Sequence, residues 1–287
     1  MRAMQLEHPH QLLKPVEITE RSPAAGQVRI VVSASGVCRT DLHVVDGELS
    51  DPKLPIVPGH EIIGRVTALG EGVTGLALDQ CVGVPWLGWA WGTCTFCRRG
   101  QENLCPFARF TGDEIEGGFA SKTIADARFV FALPDSYSDE HAAPLMCAGV
   151  IGWRTLKTAG DAPRIGLYGF GAAAHIVVQV ANARGQMVFA FVRPGDEKAT
   201  AFAHEMGAVG QAIPTGRRPS RWMPRSSMRR PASSFRRRYA LFVQAEPSSA
   251  ARFADHLLRQ QAHDKGSRYR FPLAGPPDSV RHRVLAP

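Results

Sequence analysis

The rhythm of apolar and polar positions changes twice along the chain. Residues 27–34 (QVRIVVSA) alternate and are rich in Val and Ile, which predicts a half-buried strand. Short apolar runs continue through 56–68, and glycines at 64, 70, 72, 75 and 83 punctuate the pattern at close spacing. This first part reads as a small, mostly β barrel or sandwich. Residues 88–105 are rich in Gly and Cys and show no helical period. From Ile165 the texture differs. IGLYGFGAAAHIVVQVANARG followed by QMVFAFV reads as strand, tight turn, helix and strand. Residues 197–206 continue as a helix and 209–213 as a third strand, the start of a parallel sheet. A domain boundary is expected near residue 150.

After about residue 211 the periodicity fails. Leu, Ile, Val and Phe make up 13 of the last 77 residues, and prolines at 214, 219, 224 and 231 would break either kind of element. Residues 248–261 keep a helical spacing of apolar positions, and 239–243 read as a lone strand. Charge divides at the same place. Residues 1–210 hold 18 Lys+Arg against 22 Asp+Glu, whereas 211–287 hold 16 against 4. The net charge of +8 is therefore a property of the tail, whose Arg clusters read as a solvated basic run. A nucleic-acid partner is not expected. No long apolar run predicts a membrane span, and the first residues (MRAMQLEHPH) lack a signal-like apolar core. A cytoplasmic location is expected, in which six cysteines point to metal or catalysis before disulfides.

Three groups carry the candidate chemistry: Gly36-Val37-Cys38-Arg39-Thr40-Asp41-Leu42-His43; Pro58-Gly59-His60-Glu61 followed by Gly64, Gly70 and Val73; and Pro144-Leu145-Met146-Cys147-Ala148-Gly149. Two thiols and an imidazole suit Zn²⁺, and ligands distant in sequence suit a catalytic ion with an open position. Each residue alone has a plainer reading, such as Cys147 as a small buried hydrophobe. Together, with the GHE-x₂-G-x₅-G-x₂-V run, residues 1–210 resemble the zinc-dependent alcohol dehydrogenases of the medium-chain dehydrogenase/reductase superfamily. Residues 211–287 do not.

The resemblance implies a fold and a chemistry. It implies a GroES-like, β-rich zinc-binding catalytic domain over 1–150. The N-terminal half of a Rossmann-type dinucleotide-binding sheet follows over 151–213, and an irregular Arg/Pro/Ser-rich tail, attributed to a shifted reading frame or to disorder, over 214–287. The fold class is thus α/β plus β. Cys38, His60 and Cys147 are implied as catalytic zinc ligands, with Glu61 as the adjacent carboxylate. Thr40 is implied to bond the substrate oxygen, Asp41 to orient His60, and His43 to end a proton relay. Zinc polarises an alcohol oxygen, a carboxylate behind a ligating His fixes its tautomer, and hydride passes to a nicotinamide.

Cys94-x₂-Cys97-x₇-Cys105 has structural-zinc spacing, but the place of the family's fourth Cys holds Trp91, whose indole only donates. Weakened occupancy is expected there. Cys81 is expected to be a packed free thiol. Gly169-Phe170-Gly171-Ala172-Ala173-Ala174 reads G-x-G-x-x-A between an apolar strand and a helix, so Gly169, Gly171 and Ala174 are candidate cofactor residues. Val192 and Arg193 stand where an acid for the ribose is expected, which leaves both NAD and NADP open. Trp86-Leu87-Gly88-Trp89 reads equally as the lining of an aromatic pocket near the metal or as core. The expected function is alcohol–aldehyde or alcohol–ketone interconversion. The alternative is an inactive zinc-binding relative that lacks the nicotinamide half. Intact relatives are implied to be homo-oligomers, which is not carried to this chain.

Overall fold

The computed structural model describes residues 1–49, 52–211 and 242–244. The chain divides into two compact units, Met1–Ile151 and Gly152 onward. In chain order the first unit holds β1 (Arg2–Gln5), β2 (Lys14–Glu17), β3 (Gln27–Gly36), α1 (Arg39–Val45), β4 (Glu61–Leu69), β5 (Cys81–Val84), β6 (Leu87–Trp89), β7 (Arg109–Phe110), β8 (Lys122–Asp126), β9 (Phe131–Ala132) and α2 (Asp139–Ala142). Helix α3 (Ala148–Ala159) runs across the division.

The alternation in β3 does what its period demands. Val28 and Ile30 turn inward and pack with Ile62, Val66, Val82, Val84, Ala125 and Val130. The resulting antiparallel sheet has the order β8-β3-β4-β5-β9. The other face of β4 presents Ile63 to Cys81, Ala142, Ala143 and Met146, so Cys81 is a packed, buried thiol. β3 is two residues longer than its alternating stretch suggested, because pairing with β4 continues to Gly36 opposite Glu61. That extension brings the end of β3 and the start of β4 to one place.

The Cys-rich stretch has two short 3₁₀ turns, Cys97–Arg99 and Glu102–Leu104. They enclose a small cluster of Ala90, Cys97, Cys105 and Phe129.

In the second unit β10 (Arg164–Tyr168), α4 (Ala172–Ala183), β11 (Met187–Phe191), α5 (Glu197–Glu205) and β12 (Gly210–Gln211) form a βαβαβ succession with β10, β11 and β12 parallel. Leu156, Ile165, Leu167, Val177, Val178, Ala181 and Val188 make its core. The described strand Phe242–Gln244, β13, lies antiparallel on β10, giving the order β12-β11-β10-β13. The segment read from sequence as a lone strand is thus paired where it is described. The helix expected over 248–261 and the rest of the tail lie outside the described residues. Among the described residues, no helix is long and apolar enough to cross a membrane.

Gly64 tests the packing of the β3–β4 pair. A Cβ there would strike the Val31 carbonyl oxygen and the Ile30 side chain, with backbone on one side that cannot yield. Gly64→Ala is expected to cost about 1–3 kcal/mol, the usual penalty of overpacking, read as a lower midpoint in chemical denaturation.

Candidate metal centre

Three chain segments meet at the start of β4. The first leaves β3 and enters α1 with Cys38 at the N-cap in an extended conformation. The second is the Gly59-His60 turn. The third is Cys147, between the 3₁₀ turn Ala143–Met146 and α3. One ligand atom from each of Cys38, His60, Glu61 and Cys147 lies within 4.8 Å of the others.

Asp41 holds the first two segments together. Its Oδ2 accepts from the Cys38 backbone N–H at 2.7 Å. Its Oδ1 accepts from the Gly59 N–H at 3.2 Å and from His60 Nδ1 at 2.9 Å. Both side chains are buried, His60 completely. Gly59 has φ +99°, and a Cβ there would strike Phe119, so glycine alone suits this turn. With Nδ1 committed to Asp41, the opposite nitrogen, Nε2, is buried with no hydrogen-bond partner. An orphaned polar atom of this kind calls for a partner.

The sulfurs of Cys38 and Cys147 stand 3.7 Å apart, within hydrogen-bond reach and not joined as a disulfide. A tetrahedral zinc with Zn–S of about 2.3 Å sets its sulfurs about 3.8 Å apart. The donor set, the spacing and the unpartnered Nε2 therefore fit a tetrahedral divalent ion.

The electrostatics of the cluster are those of a site built for charge. The hydrogen bond from Cys147 pulls Cys38 down, against the effect of burial and with help from His60. The same bond, with burial, pushes Cys147 up. Burial opposes a charge on His60, but the hydrogen bond to Asp41 and the nearby Cys38 sulfur outweigh it and raise the ring to about 9. Burial, then the Cys38 charge, lifts the Glu61 carboxyl to about 7.

The remaining expected residues sit around this group. Thr40 Oγ1 is 3.9 Å from Cys38 Sγ. His43 Nδ1 pairs with Glu48 Oε2 at 2.5 Å. One neighbour, Glu48, escaped the sequence reading, and two that it named, Gly36 and Trp86, make contacts that it did not give. Glu48 follows His43 by five residues, a spacing that no motif marks. Gly36 faces Glu61 across the β3–β4 pair, and a Cβ on it would fall on the Glu61 carboxylate. Trp86 meets the His60 ring edge-on at 4.9 Å and stacks on Phe110 at 5.1 Å. Its aromatic run was visible in the sequence, but its contact with His60 was not. Trp89, by contrast, lies beneath Arg109.

Cys94, Cys97 and Cys105 also converge, with their sulfurs within 4.8 Å of one another. Trp91 brings no ligand. Its backbone N–H donates to Cys105 Sγ at 3.5 Å, while its ring is half exposed and packs edge-on against Phe107.

In the second unit, Gly169 turns out of β10 with φ +91°, and its N–H donates to Phe191 O at 2.8 Å. Gly171 is the N-cap of α4. A Cβ on either glycine would meet nothing within 4 Å, so this turn is open to an approaching group. Ala174 and Val192 are buried in the unit's core, while Arg193 is exposed at the loop before α5.

The fold and the converging groups define a β-rich domain of the GroES type that carries a Cys–His–Cys centre and is followed by a parallel α/β unit. Residues 24–135 match the alcohol dehydrogenase GroES-like domain. The chain is 42% identical over 204 residues to the probable alcohol dehydrogenase AdhA of Mycobacterium tuberculosis, across 69% of this chain and 58% of that protein. It is 40% identical over 211 residues to an alcohol dehydrogenase of Geobacillus stearothermophilus, across 72% and 62%. A cobalt- and zinc-bound thermostable alcohol dehydrogenase from Pyrobaculum aerophilum superposes with a TM-score of 0.67 at 28% identity, across 75% of this chain and 66% of that one. The resemblance to zinc-dependent alcohol dehydrogenases holds over the region these matches cover. The chain spans about three fifths of the length of the curated relatives it matches.

Asp41→Ala removes one partner of a buried charged pair and leaves His60 unsupported. In denaturant titration of the metal-free protein it is expected to cost about 3–5 kcal/mol. Asp41→Asn, which keeps a side-chain oxygen for the backbone N–H groups, is expected to cost less.

Proposed function

We propose that the protein is a zinc-dependent oxidoreductase that interconverts small alcohols with aldehydes or ketones, using NAD or NADP. The observation that carries this reading is the buried His60 ring. It is held at Nδ1 by Asp41 and left unpartnered at Nε2, beside two sulfurs at tetrahedral spacing.

In this reading Cys38, His60 and Cys147 hold the ion, and Glu61 supplies a fourth, exchangeable oxygen. A bound zinc supplies Lewis-acid polarisation of the substrate oxygen, and a nicotinamide takes or gives the hydride. The chain's own residues do the rest. Asp41 keeps the His60 proton on Nδ1 and so keeps Nε2 available as a donor of electrons. Thr40, two residues after Cys38, offers a hydroxyl that accepts a proton from the substrate hydroxyl and releases its own outward. His43, with Glu48 at Nδ1, is the group that takes the proton to solvent. Trp86 covers one edge of His60 and keeps water from it.

The open Gly169–Gly171 turn at the N-terminus of α4 suits a pyrophosphate, because backbone N–H groups and the helix dipole both favour an anion there. Position 192 cannot bond a ribose, since Val192 is apolar and buried. Arg193 is exposed where a 2′-phosphate would be read, which supports NADP beside NAD. On this reading 1–150 is the catalytic domain and 151–213 the first half of a Rossmann-type domain.

A second reading shares the metal centre but not the turnover. Among the described residues the parallel part of the sheet has three strands, and the next strand is antiparallel. A Rossmann-type sheet uses further parallel strands for its second mononucleotide half. The protein would then bind zinc without transferring hydride.

The test uses the full chain loaded with zinc, offered primary and secondary alcohols with NAD⁺ or NADP⁺, and followed by nicotinamide absorbance. Turnover that a chelator abolishes and zinc restores is expected. His60→Ala should lose both metal and turnover. Thr40→Ala should keep zinc and lower kcat by about 10²–10⁴-fold, the usual weight of a positioned proton-transfer group. Zinc bound at Cys38, His60 and Cys147 with no turnover on either cofactor supports the second reading.

A further inference from the structure

The Cys94–Cys97–Cys105 lobe has the spacing of a structural zinc site but only three of its donors. A tetrahedral zinc needs four donors. Here three sulfurs converge, and among the described residues no fourth Cys, His, Asp or Glu atom joins them. Trp91, at the place of a fourth thiol, has a ring that donates only and packs outward against Phe107. Its backbone adds an N–H to Cys105 Sγ, which a thiolate accepts but an ion cannot use.

The charge of the surroundings does not select the occupant, because the guanidiniums of Arg98 and Arg128 stand beside the cluster of Cys97, Cys105, Ala90 and Phe129. The number of donors does. Three thiolates complete a three-coordinate ion and leave a tetrahedral zinc one donor short. Soft sulfur donors also favour soft ions.

We propose that Cys94, Cys97 and Cys105 form a three-thiolate site that takes a three-coordinate thiophilic ion of the trivalent arsenic class in preference to zinc. The step balances without redox change. Three As–O bonds of arsenous acid break, three As–S bonds form, and three waters leave, each carrying one thiol proton. The site is independent of the catalytic reading and stands or falls without it.

The probe is arsenite, added to the full chain in a Cys38→Ser background so that the Cys38–Cys147 pair cannot compete. One arsenic per chain is expected, with three sulfur neighbours and no oxygen in X-ray absorption at the arsenic edge. Cys97→Ser should lower retention by about tenfold or more, the scale of roughly 1.4 kcal/mol, while Cys81→Ser should leave it unchanged. Trp91→Cys alters a half-exposed residue and should reverse the preference, with zinc displacing arsenite at equal concentration. An oxygen neighbour on arsenic overturns the proposal, as does displacement by equal zinc without the Trp91→Cys change. So does a Trp91→Cys variant that keeps the preference of the parent.

Discussion

One buried carboxylate fixes the geometry on which the site depends. Asp41 is almost wholly removed from water and accepts from the Cys38 N–H, the Gly59 N–H and His60 Nδ1. A carboxylate can be kept in such a place only when its oxygens are paired. Each bond it makes is therefore also a positional constraint. One bond closes the first turn of α1 on the residue before it, and the others fasten that turn to a segment eighteen and nineteen residues later. The Cys38 sulfur and the His60 ring come to the same place because the charge between them would otherwise be stranded.

The sheet supplies the rest of the alignment. Pairing of β3 with β4 runs to Gly36 opposite Glu61, so Cys38 and His60 leave adjacent strands at the same end. Glycine at 36 gives the Glu61 carboxylate its room, and glycine at 59 gives the turn its positive φ. Burial then turns these positions into chemistry. The same desolvation that lifts Glu61 toward neutrality makes a cation among the sulfurs more valuable than it would be at a surface.

Much of this was legible in the sequence, because period and motif report local physics. The alternation in 27–34 became β3, and the strand–turn–helix–strand reading after Ile165 became β10, α4 and β11. The residues that motifs named, Cys38, Thr40, Asp41, His60 and Glu61, do gather. What stayed hidden was contact across the sheet and around turns. Gly36 matters through its partner on another strand, Trp86 through a ring that lies twenty-six residues away, and Glu48 through a loop beyond the end of α1. None of these has a spacing that a single chain displays. The edge strand β13 was visible as an apolar run, but its antiparallel pairing was not, because strand direction depends on the connection.

The two cysteine groups show how a small change of donor alters what a site can hold. In the proposed reading a neutral nitrogen, two thiolates and a carboxylate would hold the ion at Cys38 and Cys147, and the carboxylate could adjust the charge by protonation. Around Cys94, Cys97 and Cys105 every donor is a thiol, and among the described residues no fourth donor joins them. The number of donors then decides which ion the lobe would take. On the two proposals the imidazole at position 60 and the indole at position 91 thus have opposite consequences, one completing a donor set and the other leaving three sulfurs.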